Sequence, residues 1–444
     1  MTITTSRDHR RFFALALALL TVLALVSAVT GPSAQAGTNE GLQCETGPRG
    51  NPAFDLTATS GYIFEPDGNT VFMWSYAGSS GVFQFPGPNL CVAQGDTVTV
   101  RLHNLLREPV SIVFPGQEGV TADGQPAQPQ LDANGVATSL VQPAAANGGI
   151  VTYSFVATRP GTFLYESGTD VAKQVQMGLY GALIVRPSSD GTVTGSVLTH
   201  QAYADASTAF KPGQEYVHLL SEIDPALHQA VETRRAYDVT QYKARYFLVN
   251  GRSMPDTLAP NNAAWLPSQP YGATVHIQPY DATNNSQPAL IRYLSVGPET
   301  YPFHPHGNDQ KVIARDGFPL VSDKGQPDRS YDKYLIDVSP GQTVDSTLVW
   351  TDAEAWDPNT NPIPVDLPPN QDIILTPDTW FSDNPYLGHQ SDLPVGVTNN
   401  NQCGEYYHVA HSHALQQATN YGATFGGMMT LIRIDPPNGC TTAP

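Results

Sequence analysis

Cationic side chains are scarce in this chain: 22 Lys and Arg in 444 residues, against 40 Asp and Glu, for a formal net charge of −18 at pH 7. Phosphate backbones are gripped by basic patches, so this balance argues against nucleic acid as a partner. Long apolar runs are lacking too, with one exception. "FFALALALLTVLALVSAV" follows Arg7, Arg10 and Arg11 and leads into "AQAG", an A-x-A cleavage pattern that ends at Ala36. That is the layout of an export signal over residues 1–36; an uncleaved membrane anchor is the alternative reading of the same run. Its removal takes away three Arg and one Asp and moves the net charge to −20. The expectation is a secreted or otherwise extracytoplasmic protein, with no membrane partner after cleavage.

Cysteine is rare. Cys44, Cys91, Cys403 and Cys440 are the whole complement. An even count in an exported chain suggests two disulfides rather than free thiols. Of the three possible pairings, Cys44–Cys91 with Cys403–Cys440 places one in each half.

Helical patterning is also scarce. Only 14% of residues are charged, and Gly and Pro reach 38 each. What is present instead is a recurrence of short strand-type runs between turn signals, among them "TVTVRLHNLL", "GIVTYSFVA", "GALIVRP", "EYVHLLSEI", "ALIRYLSV" and "GMMTLIRI". That texture predicts an all-β chain of sandwich domains. The polar stretch "SSDGTVTGS" reads as a boundary, which puts domain 1 at 40–190 and domain 2 at 191–440. A loop-rich, Pro/Asn-rich insert at 352–404 interrupts domain 2, as a lid or a plain surface excursion.

Chemistry-bearing residues cluster in two places. "YPFHPHG" carries His304 and His306, and "HVAHSHAL" carries His411 and His413. On a strand, residues i and i+2 share a face, so two His-x-His pairs on neighbouring strands would converge four imidazoles. Neutral imidazole is a ligand for copper, zinc, iron or nickel. His408 lies three positions before His411 and should point to the opposite face.

Several stretches together resemble the multicopper oxidase family: "GNTVFMWSYAGSSGVFQFPGPNLCVAQGDTVTVRLHNLL", "GTFLYESGTDVAKQVQMGLYGALIVRP", "FLVNGRSMPDT", "YPFHPHGNDQKVIARDG" and "HSH…GGMMTLIRI". The resemblance implies two cupredoxin-like Greek-key β-sandwich domains, copper as the cofactor, a small-molecule substrate, and the two-domain subtype, whose members commonly form homotrimers. It also exposes departures. The family's first His-Trp-His-Gly motif is "VSIVFPG" here, with Val113 and Pro115 at the histidine positions. Its Tyr-His-Ser-His motif is "LYESG", with Glu166 and Gly168. In the third motif Tyr301 replaces the leading histidine. In the fourth, Ser412 replaces the cysteine of His-Cys-His and Gln417 stands at the later histidine.

A blue copper centre needs a thiolate and two histidines, usually with a weak axial ligand. Tyr301, Ser412 and Gln417 supply none of these, and Met428 and Met429 fall out of register as axial ligands. No blue copper centre is expected. Half of the eight histidines of the family's oxygen-reducing cluster remain, enough for one copper ion, or two at most. Three functions follow as alternatives: residual copper-dependent oxidoreductase chemistry at His304, His306, His411 and His413; non-redox binding of copper or zinc by the same four residues; and a metal-free scaffold for interaction.

Overall fold

The computed structural model describes residues 40–191, 200–307, 309–321, 327–350 and 406–435. The export signal, the boundary stretch from residue 192 onward, the whole 352–404 insert with Cys403, and Cys440 lie outside these residues. Cys44 and Cys91 form a disulfide.

Strict alternation builds the first sandwich. "TVTVRLHN" buries every second residue from Val98 to Asn104, so one face of the strand meets the core and the other meets water. We number the main strands β1 (Ala53–Phe64), β2 (Thr70–Ala77), β3 (Leu90–Ala93), β4 (Thr97–Asn104), β5 (Gly149–Val156), β6 (Gly161–Glu166) and β7 (Tyr180–Arg186). One sheet runs β2-β1-β4-β5 and the other β3-β7-β6, each ending in short strands. Parallel β1/β4 and β3/β7 pairs sit beside antiparallel ones, the mixture that Greek-key crossovers produce. Leu56, Trp74, Val100, Ile112, Tyr153 and Leu183 are among the residues that fill the space between the sheets.

The second sandwich contains β8 (Glu215–Ile223), β9 (Tyr246–Val249), β10 (Val275–Ile277), β11 (Ala289–Ser295), β12 (Tyr301–Pro305), β13 (Gln310–Arg315), β14 (Ile336–Val338), β15 (Thr343–Leu348), β16 (Tyr406–Ser412) and β17 (Met429–Ile434). Its sheets run β9-β8-β11-β15-β13 and β10-β17-β16-β12-β14. Strand β8 is buried along its whole length, because domain 2 covers one face and domain 1 the other. The layer between the domains joins Val71, Leu164, Ala182 and Ile184 to Val217, Leu219, Leu248 and Leu294. Met428 and Met429 are buried core residues.

Candidate metal centre

The centre is built by two adjacent strands. β12 and β16 are antiparallel, with His304 directly opposite His411 and Phe303 opposite Ser412. The ladder runs on past both strand ends: His306 N–H donates to the Val409 carbonyl at 2.9 Å and His413 N–H to the Pro302 carbonyl at 2.7 Å. Both His-x-His pairs therefore stay extended, and alternation sorts their neighbours. Tyr301 and Phe303 point into the core, while His304 stands on the outer face.

All four expected rings come together. Centroids lie 4.5 Å apart for His304 and His306, 5.2 Å for His304 and His413, 5.3 Å for His306 and His411, and 5.8 Å for His411 and His413. His306 Nε2 and His411 Nε2 are 3.2 Å apart. Two nitrogens each bound to one tetrahedral ion at metal–nitrogen distances of 2.0–2.1 Å would be separated by about 3.3 Å. The backbone also orients the rings. Nδ1 of His304 bonds the Tyr334 carbonyl at 2.6 Å and Nδ1 of His411 bonds the Ser412 carbonyl at 2.9 Å. A carbonyl can only accept, so Nδ1 carries the proton in both rings and Nε2 keeps its lone pair. Burial first, and then the neighbouring histidines, lower His411 to about 4, which leaves it neutral at pH 7.

The donor set thus fits a single ion of the imidazole-preferring class. As the side chains stand, no three His, Cys, Asp or Glu among the described residues are gathered tightly enough to hold one. His306 and His411 are paired at ligand spacing, and the rings of His304 and His413 stand beside them.

The positions that the resemblance gives to blue copper do not fit copper. The Ser412 hydroxyl donates to Gln417 Oε1 at 2.5 Å, and Gln417 Nε2 donates to Glu299 Oε2 at 2.7 Å. Tyr301 is fully buried beside them. Ser412 and Gln417 are tied to each other, and the three positions offer no thiolate and no imidazole.

The matching wall in domain 1 is closed. Val113 and Glu166 exchange backbone hydrogen bonds. A Cβ at Gly168 would come within 2.6 Å of Val113 Cγ1 and 3.1 Å of Ser111 Oγ, so a histidine there would need the wall to open. Ser111, Ser139 and Thr169 close a triangle of hydroxyls at 2.8–3.1 Å. Asp170 is salt-bridged to Lys173 at 2.8 Å. His408 faces away from the cluster and accepts a hydrogen bond from Trp350 Nε1 at 3.0 Å. Sequence reasoning missed Tyr334, which acts through its backbone carbonyl and so leaves no side-chain signature.

The fold is that of two cupredoxin-like β-sandwich domains. Residues 63–190 match the family model described as multicopper oxidase. An L-ascorbate oxidase from Cucurbita maxima is 38% identical over 104 residues, 23% of this chain and 16% of that protein. Laccase 1 from Metarhizium acridum is 32% identical over 112 residues, 24% of this chain and 16% of that protein. The chain therefore spans about one sixth of the length of the curated relatives it matches. Among solved structures, the blue copper oxidase from Nitrosomonas europaea superposes with a TM-score of 0.53 at 19% identity, covering 86% of this chain and 85% of that one. The multicopper oxidase mgLAC gives 0.54 at 21% identity, covering 86% of each. These likenesses confirm the fold.

Proposed function

We propose that this is an exported multicopper-oxidase-like protein that binds copper through His304, His306, His411 and His413 and has no blue copper centre. The observation that carries the reading is the convergence of the four rings, with His306 and His411 at ligand spacing. Copper bound there would supply one-electron redox chemistry. The chain's own part is to hold the rings: the Tyr334 and Ser412 carbonyls fix two tautomers, and the shared ladder fixes the strands. With Tyr301, Ser412 and Gln417 at the electron-entry positions, a small-molecule reductant would have to act at the histidine cluster itself. That same loss favours a second reading, non-redox binding of copper or zinc. A homotrimeric assembly belongs to the proposal and is checked by light scattering.

Metal analysis decides it. Protein loaded with copper and dialysed should retain one ion per chain, two at most, without an intense blue band. His411→Ala should lower retention at least tenfold. Retention of no metal, by copper- and zinc-loaded protein alike, would sink both metal readings. A blue band would sink the reading of Ser412. Turnover of phenolic or ascorbate-type reductants by the copper-loaded form separates the redox reading from the non-redox one.

A further inference from the structure

We propose that Glu222 and Glu299, together with the hydroxyl of Tyr301, form a binding site for a hard divalent cation of the calcium or magnesium class, separate from the histidine cluster. The inference does not rest on copper binding.

Glu222 sits near the end of β8, only 3% exposed. Burying a carboxylate without a compensating charge costs several kcal/mol. Among the described residues neither Glu222 nor Glu299 has a Lys, Arg or His ion partner. Glu222 Oε1 accepts from Tyr242 Oη at 3.1 Å, while Glu222 Oε2 has no hydrogen-bond partner among them. The Tyr301 hydroxyl, on a side chain with no exposure, also has none. Both unpartnered oxygens are aimed at one place: a Cβ on Gly297 would collide with each. Glycine at 297 keeps that space for them.

Glu299 enters from the same loop. Its Oε2 is held by Gln417, whose amide is fixed in turn by Ser412. The groups facing Glu222 are Glu299, Tyr242, Gln176, Tyr180 and Tyr301, with Asp224 acting on Tyr242. All are acidic or neutral. Burial, and then the charge of Glu299, raise Glu222 to about 8. The surroundings lack a positive charge, and a proton or a cation can supply it.

Donor chemistry selects the ion. Carboxylate and phenol oxygens suit calcium, magnesium or manganese, which take six or more oxygens and retain water where the protein supplies fewer. Glu299 is half-buried, which gives the site an approach from solvent. The same cluster includes all three positions that a blue copper centre would use, now occupied by a tyrosine, a serine and a glutamine. In place of a soft thiolate and imidazoles it offers oxygen.

The test is a calorimetric titration of the full, metal-free chain with calcium chloride and, separately, magnesium chloride, paired with thermal melts. The expected result is saturable binding of one ion at an affinity of about 0.1–1 mM, the range of extracellular calcium modules. Binding should tighten between about pH 6.5 and about pH 9, with proton release, because the ion displaces the Glu222 proton. Glu222→Gln and Glu299→Gln should each weaken it at least tenfold. Glu222→Gln mimics the protonated acid, so it should fold, and the melt verifies this. His411→Ala should still bind calcium, which separates this site from the copper cluster. No saturable binding of either ion, or equal binding in both Gln variants, would overturn the proposal.

Discussion

At the scale of single residues, the proposal that the protein has no blue copper centre rests on three side chains. Ser412, Gln417 and Tyr301 stand where the family resemblance places the strong ligands, and the first two are hydrogen-bonded to each other. Copper-loaded Tyr301→His/Ser412→Cys/Gln417→His should therefore gain an intense blue absorption that the parent lacks. Optical spectroscopy checks this directly, and a colourless, folded triple variant would show that those positions do not converge as they must. The three departures from the resembling motifs could be read in the sequence, because each stands at a fixed spacing. Their surroundings in the fold could not. Glu222 is 79 residues from Tyr301 in sequence and carries no motif. The hydroxyl triangle of Ser111, Ser139 and Thr169 was equally hidden, since serine and threonine are ordinary in any strand or turn.

At the scale of elements, the β12–β16 pair explains why two dipeptide-spaced motifs sufficed to find four rings. A period of two puts each pair on one face, and only a direct register brings the pairs together. The spacing supplied the first condition. The second comes from the His304–His411 alignment, which no local pattern encodes. The loop leading into β12 adds a constraint of its own. Gly297→Ala would push a methyl group into Tyr301 and Glu222, and such overpacking typically costs about 1–3 kcal/mol. Urea denaturation should show that loss. An unchanged midpoint would mean the two side chains swing clear without strain.

At the scale of the whole molecule, charge bridges the two sandwiches. Arg292, with no exposure, donates to Glu215 at 2.7 Å and to Thr162 of domain 1 at 2.9 Å, with Asp345 at 3.4 Å. Arg186 of domain 1 reaches Glu215 at 2.6 Å. Against the effect of burial, the two arginines hold Glu215 down at about 2. Truncating Arg292 to Ala leaves buried Asp345 without its ion partner and Glu215 with Arg186 alone, and should cost about 3–5 kcal/mol, measured by denaturant titration. A second clamp joins distant parts of the chain: His276 Nε2 lies 3.0 Å from Glu40 and Nδ1 3.5 Å from Asp435. Burial works against its charge, but the two carboxylates prevail and raise it to about 9. A raised histidine stabilises fully below its ordinary value of about 6.5 and loses that contribution as pH climbs to about 9. Melting temperature should fall by a few degrees across that window, and His276→Gln should flatten the fall.

The apolar layer between the sandwiches has a consequence for how the protein can be handled. Val217, Leu219 and Leu248 on one side meet Leu164, Ala182 and Ile184 on the other, so either half expressed alone would present a bare hydrophobic wall to water. Calorimetry of the intact chain should record one melting event rather than two. A fragment cut after Pro187 should precipitate or self-associate, since the layer that joins the halves is also what keeps each of them in solution.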